Sequence, residues 1–260
     1  MNENLIAALG AELHAALESR VPVEPLTARY PKIAIGDAYR IQQHMVGRRL
    51  DAGERIIGKK IGVTSEPVMK MLGVYQPDFG MLTSGMVFRD GDAIKASSLI
   101  QPKAEGEIAF ILGRDLTGPG ITPTDVLDAT ETVRACFEIV DSRIRDWKIK
   151  IEDTVADNAS CGVLVLGERA VDPRSIDMID CAMTLEQNGS VVAKGRGAAA
   201  LGNPLNAVAW LANTLGELGM GLHAGDIILS GSLAAMVPAS AGDSFRVDIA
   251  GLGGCSVRFV

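Results

Sequence analysis

The 260-residue chain has no long apolar run and no excess of basic residues. No segment reaches the roughly 18 consecutive apolar residues of a membrane span, and the acidic, amphipathic N-terminus lacks the basic start and apolar block of a signal peptide. A net charge of −7 and a pI near 5.1 disfavour nucleic acid as the main partner, because phosphate backbones require a basic surface. We therefore expect a cytoplasmic protein that binds small molecules, with no nucleic-acid or membrane partner.

Cysteine and histidine are also scarce, with four and three residues respectively. The cysteines form no Cys-x-x-Cys pair, which disfavours zinc and redox motifs and indicates reduced, buried thiols. The histidines lie in helical or turn-like contexts, and the chain has no Gly-x-Ser-x-Gly elbow, so catalysis by a serine–histidine pair is disfavoured. The chemistry of the chain has to be sought among its carboxylates and lysines.

The apolar pattern changes after the second predicted helix. Before that point Leu5 and Leu13 recur at helical spacing, and a second helix is predicted over Ile35–Leu50 after a proline-broken connector. After it, short apolar runs alternate with glycine turns, which is typical of a β-rich core. The sequence predicts a helical segment over residues 1–54, followed by a mainly β unit over 55–260 with peripheral helices.

Several elements of the β-rich part can be predicted individually. Asn188-Gly189 between two strand-like runs indicates a hairpin, and the segment SFRVDIAGLGGCSVRFV at the end of the sequence indicates another. The run Gly195–Ala200 matches a relaxed Gly-x-Gly-x-x-Ala pattern, but its hairpin context favours a turn into a packed helix over a nucleotide site. Asn203 and Pro204 have the N-cap and first-turn positions of a predicted helix. The predicted helices span Ser65–Met71, Pro123–Ala129 and Pro204–Leu218.

Three glutamates stand out in this β-rich part. Glu105 and Glu107 are one residue apart in QPKAEGEIAFIL, so a strand would direct both to the same face, and Glu138 follows in ACFEIVDSRI. Carboxylates that face a core need a compensating charge, and oxygen ligands favour Mg²⁺, Mn²⁺ or Ca²⁺ over zinc. The alternative is a solvated outer face, which the spacing alone favours.

Other polar residues have two possible roles each. Lys60 in GKKIGVTS could extend to water, as its spacing alone favours, or point toward the carboxylates. Asp78 in YQPDFG reads by itself as a turn aspartate. The cluster DSRIRDW after Glu138 is predicted to be a salt-bridged structural link. The segment DTVADNASCG, which contains Ser160, is either a polar loop that lines a site or a helix-capping turn.

The combination of these motifs resembles a known family. GKKIGVTS, LGVYQPDFGML, QPKAEGEIAFIL, FEIVDSRIRDW, DTVADNASCG, LGNPLNAVAWLANTLG and GDIILSGS are similar to the 2-keto-4-pentenoate hydratases of aromatic meta-cleavage pathways. These enzymes belong to the fumarylacetoacetase-like superfamily. The resemblance extends from about Ala15 to Val260 and implies an α+β fold with the mainly β core of the fumarylacetoacetase C-terminal type.

The resemblance also implies specific roles. It assigns a divalent metal, Mg²⁺ or Mn²⁺, to Glu105, Glu107 and Glu138. It places Lys60 as the active-site lysine and Asp78 as the general acid/base. Ser160 of ADNAS matches a serine that contacts the substrate, and Lys60 is implied to contact the substrate as well. The implied reaction is the addition of water to 2-hydroxypenta-2,4-dienoate, which gives 4-hydroxy-2-oxopentanoate. A homo-oligomer is expected.

Related activities stay open at this point. 4-Oxalocrotonate decarboxylase shares the metal ligands, the lysine and the scaffold, and such a decarboxylase is also a possible partner in a complex. A hydratase for the longer 2-hydroxyhexa-2,4-dienoate is equally compatible with the motifs. A non-catalytic subunit that stabilises a decarboxylase is a third class. A C–C hydrolase ranks last, because the three histidines match no histidine-containing dyad.

Overall fold

The computed structural model describes residues 1–260. Its helices are α1 (Glu3–Ser19), α2 (Leu26–Arg29), α3 (Ile35–Asp51), α4 (Glu66–Leu72), α5 (Pro123–Ala129), α6 (Ile151–Ala156) and α7 (Pro204–Glu217). Its strands are β1 (Ile56–Gly62), β2 (Asp78–Thr83), β3 (Val87–Arg89), β4 (Ala93–Ile94), β5 (Lys103–Leu112), β6 (Thr130–Val140), β7 (Cys161–Leu166), β8 (Ala182–Gln187), β9 (Ser190–Arg196), β10 (Ile227–Leu229), β11 (Val237–Pro238), β12 (Ser244–Ile249) and β13 (Gly253–Phe259). None of the helices is long and apolar enough to cross a membrane.

The strands form two mixed sheets. The larger has eight strands in the order β2-β1-β10-β5-β6-β7-β3, with β11 paired to β5. The smaller has five, in the order β4-β13-β12-β8-β9. Most pairs are antiparallel, but β1 with β10, β3 with β7 and β4 with β13 are parallel. This is the α+β architecture that the sequence predicts, with two sheets and peripheral helices.

One face of the larger sheet packs against the smaller sheet and forms the main core. The Phe137 ring on β6 meets Phe245 on β12 edge-on, with 6.4 Å between centroids, and Phe245 meets Phe259 in the same way at 5.8 Å. Gly106 on β5 lets the sheets approach, since a Cβ there would lie 2.8 Å from a methyl group of Val247. Because side chains alternate along β5 and β6, the residues between these core positions point to the other face.

The N-terminal helices pack against the β-rich part. Helix α1 packs on α3, and their apolar residues form a second cluster that includes Ile144, Val155 and Ala156 from the β-rich part. Gln42 on α3 donates hydrogen bonds to the carbonyls of Phe79 and Val155, at 2.9 and 3.1 Å. The helical segment therefore helps to hold β2 and α6 in place. The division of the chain into units at residues 54 and 55 stays a prediction.

Most predicted elements are present within a residue or two. The helices α3, α4, α5 and α7 occupy the predicted segments, and the Asn203 side chain accepts from the Leu205 N–H at 3.0 Å as an N-cap. Asn188-Gly189 links β8 to β9. The backbone of Leu233 lies against Gly195 and that of Met178 against Gly197, so close packing explains why these two positions are glycine. The segment before Asn158 was predicted as a loop or turn, and the structure instead has helix α6 there.

Candidate active site and metal centre

The three glutamates meet on the face of the larger sheet that points away from the smaller one. Glu105 on β5 lies directly opposite Glu138 on β6, and Glu107 is two residues further along β5, opposite Cys136. One carboxylate oxygen from each glutamate lies within 4.8 Å of the others. Glu107 and Glu138 are fully buried. The solvated outer face that spacing alone favoured is therefore not what the structure shows.

These carboxylates have few partners in the protein. The Gly231 N–H donates to Oε2 of Glu107 at 2.8 Å, but Oε1 of Glu107 and both oxygens of Glu138 lack a hydrogen bond. Burial, followed by the negative charge of Glu138, raises the pKa of Glu105 to about 7 and that of Glu107 well above its usual range. Unpartnered, buried oxygen atoms at this spacing fit a hard divalent cation such as Mg²⁺.

Lys60 supplies the positive charge nearest to the glutamates. Its register with Leu229 places it on the same face of the sheet as the carboxylates. The ammonium Nζ lies 3.2 Å from Oε1 of Glu138, as an ion pair without directed hydrogen-bond geometry, and the residue is 3% exposed. The expectation from spacing alone that Lys60 extends to water is wrong, because its side chain is buried and its ammonium group pairs with Glu138.

The neighbouring carboxylates keep Lys60 charged. Burial by itself would lower the pKa of its ammonium group, but Glu138 and then Asp78 act in the opposite direction and raise that pKa above its usual value. Lys59, its neighbour in sequence, points to the other side of β1 and pairs with Asp226 at 3.1 Å. The two lysines of the GKK motif thus have different surroundings, and only Lys60 faces the three glutamates.

Asp78 begins β2 and lies beside Lys60. It is 2% exposed, and neither of its carboxylate oxygens has a hydrogen-bond partner in the protein. Burial raises the pKa of Asp78 to about 6, against the opposing effect of the Lys60 charge. A solvated turn aspartate, the interpretation from its local sequence, would show neither property. A carboxyl group with a pKa near neutrality can both accept and donate protons.

Gly62 makes room for this pair, and the sequence did not single it out. It lies opposite Asp78 in the β1–β2 ladder. A Cβ at position 62 would come within 2.3 Å of Oδ1 of Asp78 and 3.4 Å of Nζ of Lys60. The local signal was only a glycine two residues after the lysine, which is indistinguishable from any strand glycine. Both functional side chains therefore depend on the missing side chain between them.

Ser160 is held by a strained turn. Asn158, Ala159 and Ser160 have φ values of 54°, 51° and 53°, a left-handed conformation that costs energy in residues other than glycine. The Asn158 side chain stabilises the turn by bonding to the backbone of Met81, as acceptor from its N–H at 2.7 Å and as donor to its carbonyl at 2.9 Å. The hydroxyl of Ser160 lies 3.3 Å from that of Thr154.

A buried ion pair anchors the same turn from below. The guanidinium of Arg143 contacts the carboxylate of Asp157, both side chains are fully buried, and the Arg143 N–H also donates to Asp157 at 2.9 Å. Arg143 additionally bonds to the carbonyl of Cys161 at 2.8 Å. The salt-bridged structural link predicted for the segment DSRIRDW is confirmed, because Arg143 of that segment forms this ion pair. Its partner Asp157 was not identified from the sequence.

A single cavity of about 630 Å³ connects the polar residues. Its lining includes Lys60, Asp78, Glu105 and Ser160. The other two glutamates are not among the lining residues, but Glu138 lies opposite Glu105 on β6 and Glu107 lies two residues along β5. The structure thus brings together all six residues that the resemblance implied. Their individual roles stay predictions. The arrangement can hold a cation, stabilise an anionic oxygen with Lys60 and transfer protons through Asp78.

Substitution of Gly62 by alanine tests whether this packing matters for function. We expect Gly62→Ala to displace Asp78 and Lys60 and to lower kcat by at least tenfold, while the fold is retained because the three atoms nearest to the added Cβ belong to side chains and none to the backbone. Gly47→Ala on α3 is the control, since no atom lies within 4 Å of its added Cβ. Steady-state kinetics with a circular dichroism melt would detect the difference, and equal kcat values for the two variants would contradict it.

The chain is similar to known proteins over most of its length. A family model described as fumarylacetoacetate (FAA) hydrolase C-terminal matches residues 58–260. A 2-hydroxyhexa-2,4-dienoate hydratase of Comamonas testosteroni is 56% identical over 260 residues, which cover 99% of this chain and 98% of that protein. A 2-hydroxypent-2,4-dienoate hydratase of Pseudomonas putida is 61% identical over 221 residues, which cover 85% of this chain and 100% of that protein.

Solved structures show the same fold. The 4-oxalocrotonate decarboxylase from Pseudomonas putida G7, complexed with magnesium and adipate, matches with a TM-score of 0.97 and 35% identity over 100% of this chain and 99% of that one. A second structure of that decarboxylase contains calcium and acetate. With a family model over most of its length and hydratases more than half identical to it, the chain belongs to the fumarylacetoacetate hydrolase family, among the 2-keto-4-pentenoate hydratases.

Proposed function

We propose that the protein is a metal-dependent hydro-lyase that adds water to 2-hydroxypenta-2,4-dienoate and forms 4-hydroxy-2-oxopentanoate, in the catabolism of aromatic compounds. The observation that carries this proposal is the meeting of Lys60, Asp78 and three glutamates at one cavity, in a chain whose relatives at 47–61% identity are hydratases of such dienoates. A dienoate has a carboxylate and a C2 oxygen at one end, which match a cationic site, and a carbon chain at the other.

Glu105, Glu107 and Glu138 would hold the metal ion. Mg²⁺ is the proposed ion, with Mn²⁺ as the alternative, since both prefer oxygen ligands. The decarboxylase with the same fold is complexed with magnesium in one structure and with calcium in another, which supports a hard cation here. When bound, such an ion supplies Lewis-acid polarisation of the C2 oxygen. It also compensates the negative charge of the three carboxylates, which the single ammonium group of Lys60 cannot do.

Lys60 and Asp78 would carry out the remaining chemistry. The Lys60 ammonium group, kept charged by its neighbours, stabilises the negative charge that develops on the C2 oxygen. Asp78 accepts the proton of the C2 hydroxyl group and passes it through a water molecule to C5, which gives the 2-oxo-3-enoate and leaves Asp78 ionised again. The double bond between C3 and C4 is now conjugated to the carbonyl group, so C4 becomes electrophilic.

Water addition completes the reaction. Asp78, with a pKa near 6, removes a proton from the water molecule that attacks C4 and returns it to C3, which gives 4-hydroxy-2-oxopentanoate and restores the Asp78 carboxylate. The overall change is the addition of one water molecule, without any oxidant or reductant. Ser160, fixed by the left-handed turn at the cavity wall, contacts the substrate in this proposal.

The principal alternative is 4-oxalocrotonate decarboxylase. Its structure superposes closely on this one, but its identity of 35% is well below the 56% and 61% of the hydratases. Fold similarity alone does not choose between reactions that share an enolate. Higher identity over nearly full length favours the hydratase, and the longer 2-hydroxyhexa-2,4-dienoate is a second possible substrate.

We further propose a homo-oligomer in the cytoplasm that can associate with such a decarboxylase. The cytoplasmic location is supported by four cysteines that are all buried and free of disulfides, as in a reducing compartment. Association with a decarboxylase is supported by the similarity of reaction and fold.

Exchange of each lysine in the GKK motif tests the catalytic assignment. Lys60→Met is expected to lower kcat for the hydration of 2-hydroxypenta-2,4-dienoate by roughly 10²- to 10³-fold, since it removes a preorganised charge at the reacting oxygen. Lys59→Met, on the other side of the strand, should keep kcat within a factor of about three and lower only stability, because it breaks the Asp226 pair. Loss of dienol absorbance and product analysis by mass spectrometry measure both.

The same assay separates the two candidate reactions. The wild-type protein with Mg²⁺ should form 4-hydroxy-2-oxopentanoate and release no carbon dioxide from 4-oxalocrotonate. Carbon dioxide release without hydration would overturn the hydratase proposal. Full activity of the Lys60→Met variant would contradict only the role proposed for Lys60 and would leave the hydratase proposal intact.

The raised carboxyl pKa values predict that metal binding depends on pH. Burial raises the pKa of Glu105 to about 7 and that of Glu107 well above its usual range, so protons compete with a cation for these carboxylates as the pH falls. Affinity for Mg²⁺ should therefore fall by up to about tenfold for each pH unit below 7, as a cation displaces one proton from Glu105. Isothermal titration calorimetry at pH 6, 7 and 8 measures this, and one unchanged Kd over that range would contradict it.

A further inference from the structure

The cavity is much larger than a five-carbon dienoate requires. Its volume of about 630 Å³ lies within the range of roughly 300–1,000 Å³ that is typical of pockets for drug-sized ligands. Its polar groups lie at the buried end, where Lys60 and Asp78 are almost inaccessible to solvent. Its other end is open, and Met71 there is 67% exposed. A substrate anchored at the buried end leaves the open end unfilled unless it carries a longer chain.

The open end is lined by apolar side chains. Val68, Met71 and Leu72 of α4 form one wall, and Ile149 and Met236 contribute from two other segments. Glu66, at the start of α4, also lines the cavity, but its carboxylate is exposed to solvent. The five apolar residues offer no charge and no side-chain hydrogen bond to a ligand. Apolar substituents would be favoured here, because their burial removes apolar surface from water on both sides.

Electrostatics fixes which end of the substrate lies at which end of the cavity. The carboxylate and C2 oxygen of a 2-hydroxydienoate are attracted to the Lys60 ammonium group and to a cation on the glutamates. C5 lies at the opposite end of the planar dienoate, so a substituent on C5 extends away from the charges. It therefore meets the apolar walls near α4.

The walls are also able to adjust to substituents of different size. None of the residues of α4 is buried, so this short helix is held from one side only. Segments with few buried contacts move at low energetic cost. Met71 and Met236 have flexible, unbranched side chains, which fill irregular gaps and adapt to different shapes.

We propose that Met71, with Leu72 and Met236, determines the chain-length specificity of the enzyme by packing against the C5 substituent, so that the cavity accepts alkyl or aryl groups larger than the methyl group of 2-hydroxyhexa-2,4-dienoate. This inference rests on the proposed hydratase function and extends it from one substrate to a class. Each buried methylene group contributes an increase in kcat/KM of about fourfold, given typical transfer free energies.

The test compares 2-hydroxydienoates that carry hydrogen, methyl, propyl or phenyl on C5, with Mg²⁺ and the full-length wild-type protein. The expected result is a rise in kcat/KM from hydrogen to methyl to propyl. Met71→Ala should lower the ratio of kcat/KM for propyl over hydrogen by about fivefold or more. Met69→Ala is the matched control on the same helix, because Met69 does not line the cavity. The ratio of kcat/KM for propyl over hydrogen should be the same in this variant as in the wild type.

The outcomes separate this inference from the proposal beneath it. Turnover of the unsubstituted dienoate with no gain for longer chains would overturn the specificity assignment and leave the hydratase function intact. An equal drop in the ratio for Met69→Ala and Met71→Ala would also overturn it. Absence of turnover with every dienoate would overturn both. The wild-type series gives an answer even if a variant does not fold.

Discussion

The site depends on one electrostatic constraint: three carboxylates lie side by side on a covered face of a β-sheet, where isolated negative charges are strongly destabilised. Glu138 and Glu107 are fully buried and largely without hydrogen bonds. The Lys60 ammonium group, 3.2 Å from Glu138, compensates only part of this charge. The requirement for further positive charge explains both the predicted metal ion and the attraction of an anionic substrate to this end of the cavity.

The rest of the molecule maintains this arrangement. The smaller sheet packs on the opposite face of β5 and β6, so alternation directs the glutamates away from the main core. Gly62 leaves space for Asp78 and Lys60, and the Arg143–Asp157 ion pair fixes the turn that carries Ser160. Removal of one member of a buried pair leaves an uncompensated charge, so such contacts are costly to disturb. Catalytic geometry and core packing are therefore not separable here.

The sequence predicted some of these features and not others, for physical reasons. Helix caps, the Asn188-Gly189 hairpin and the alternation of Glu105 and Glu107 are local properties, and the structure contains all of them. The direction of Lys60 depends on which face of β1 other elements cover, so its local spacing favoured the wrong answer. Only the family resemblance placed it in the site. Gly62 and Asp157 act through contacts with residues distant in the sequence, Asp78 and Arg143, and no local pattern identifies them.

A crystal structure of the protein soaked with Mn²⁺ would show whether the three glutamates bind a metal ion, because anomalous scattering locates the ion independently of the protein atoms. We expect one strong anomalous peak with an oxygen of Glu105, Glu107 and Glu138 each at roughly 2.0–2.6 Å, the range for hard cations bound by oxygen. A protein without an ion at these residues at saturating Mn²⁺, or with its ion elsewhere in the cavity, would contradict the assignment of the glutamates as metal ligands.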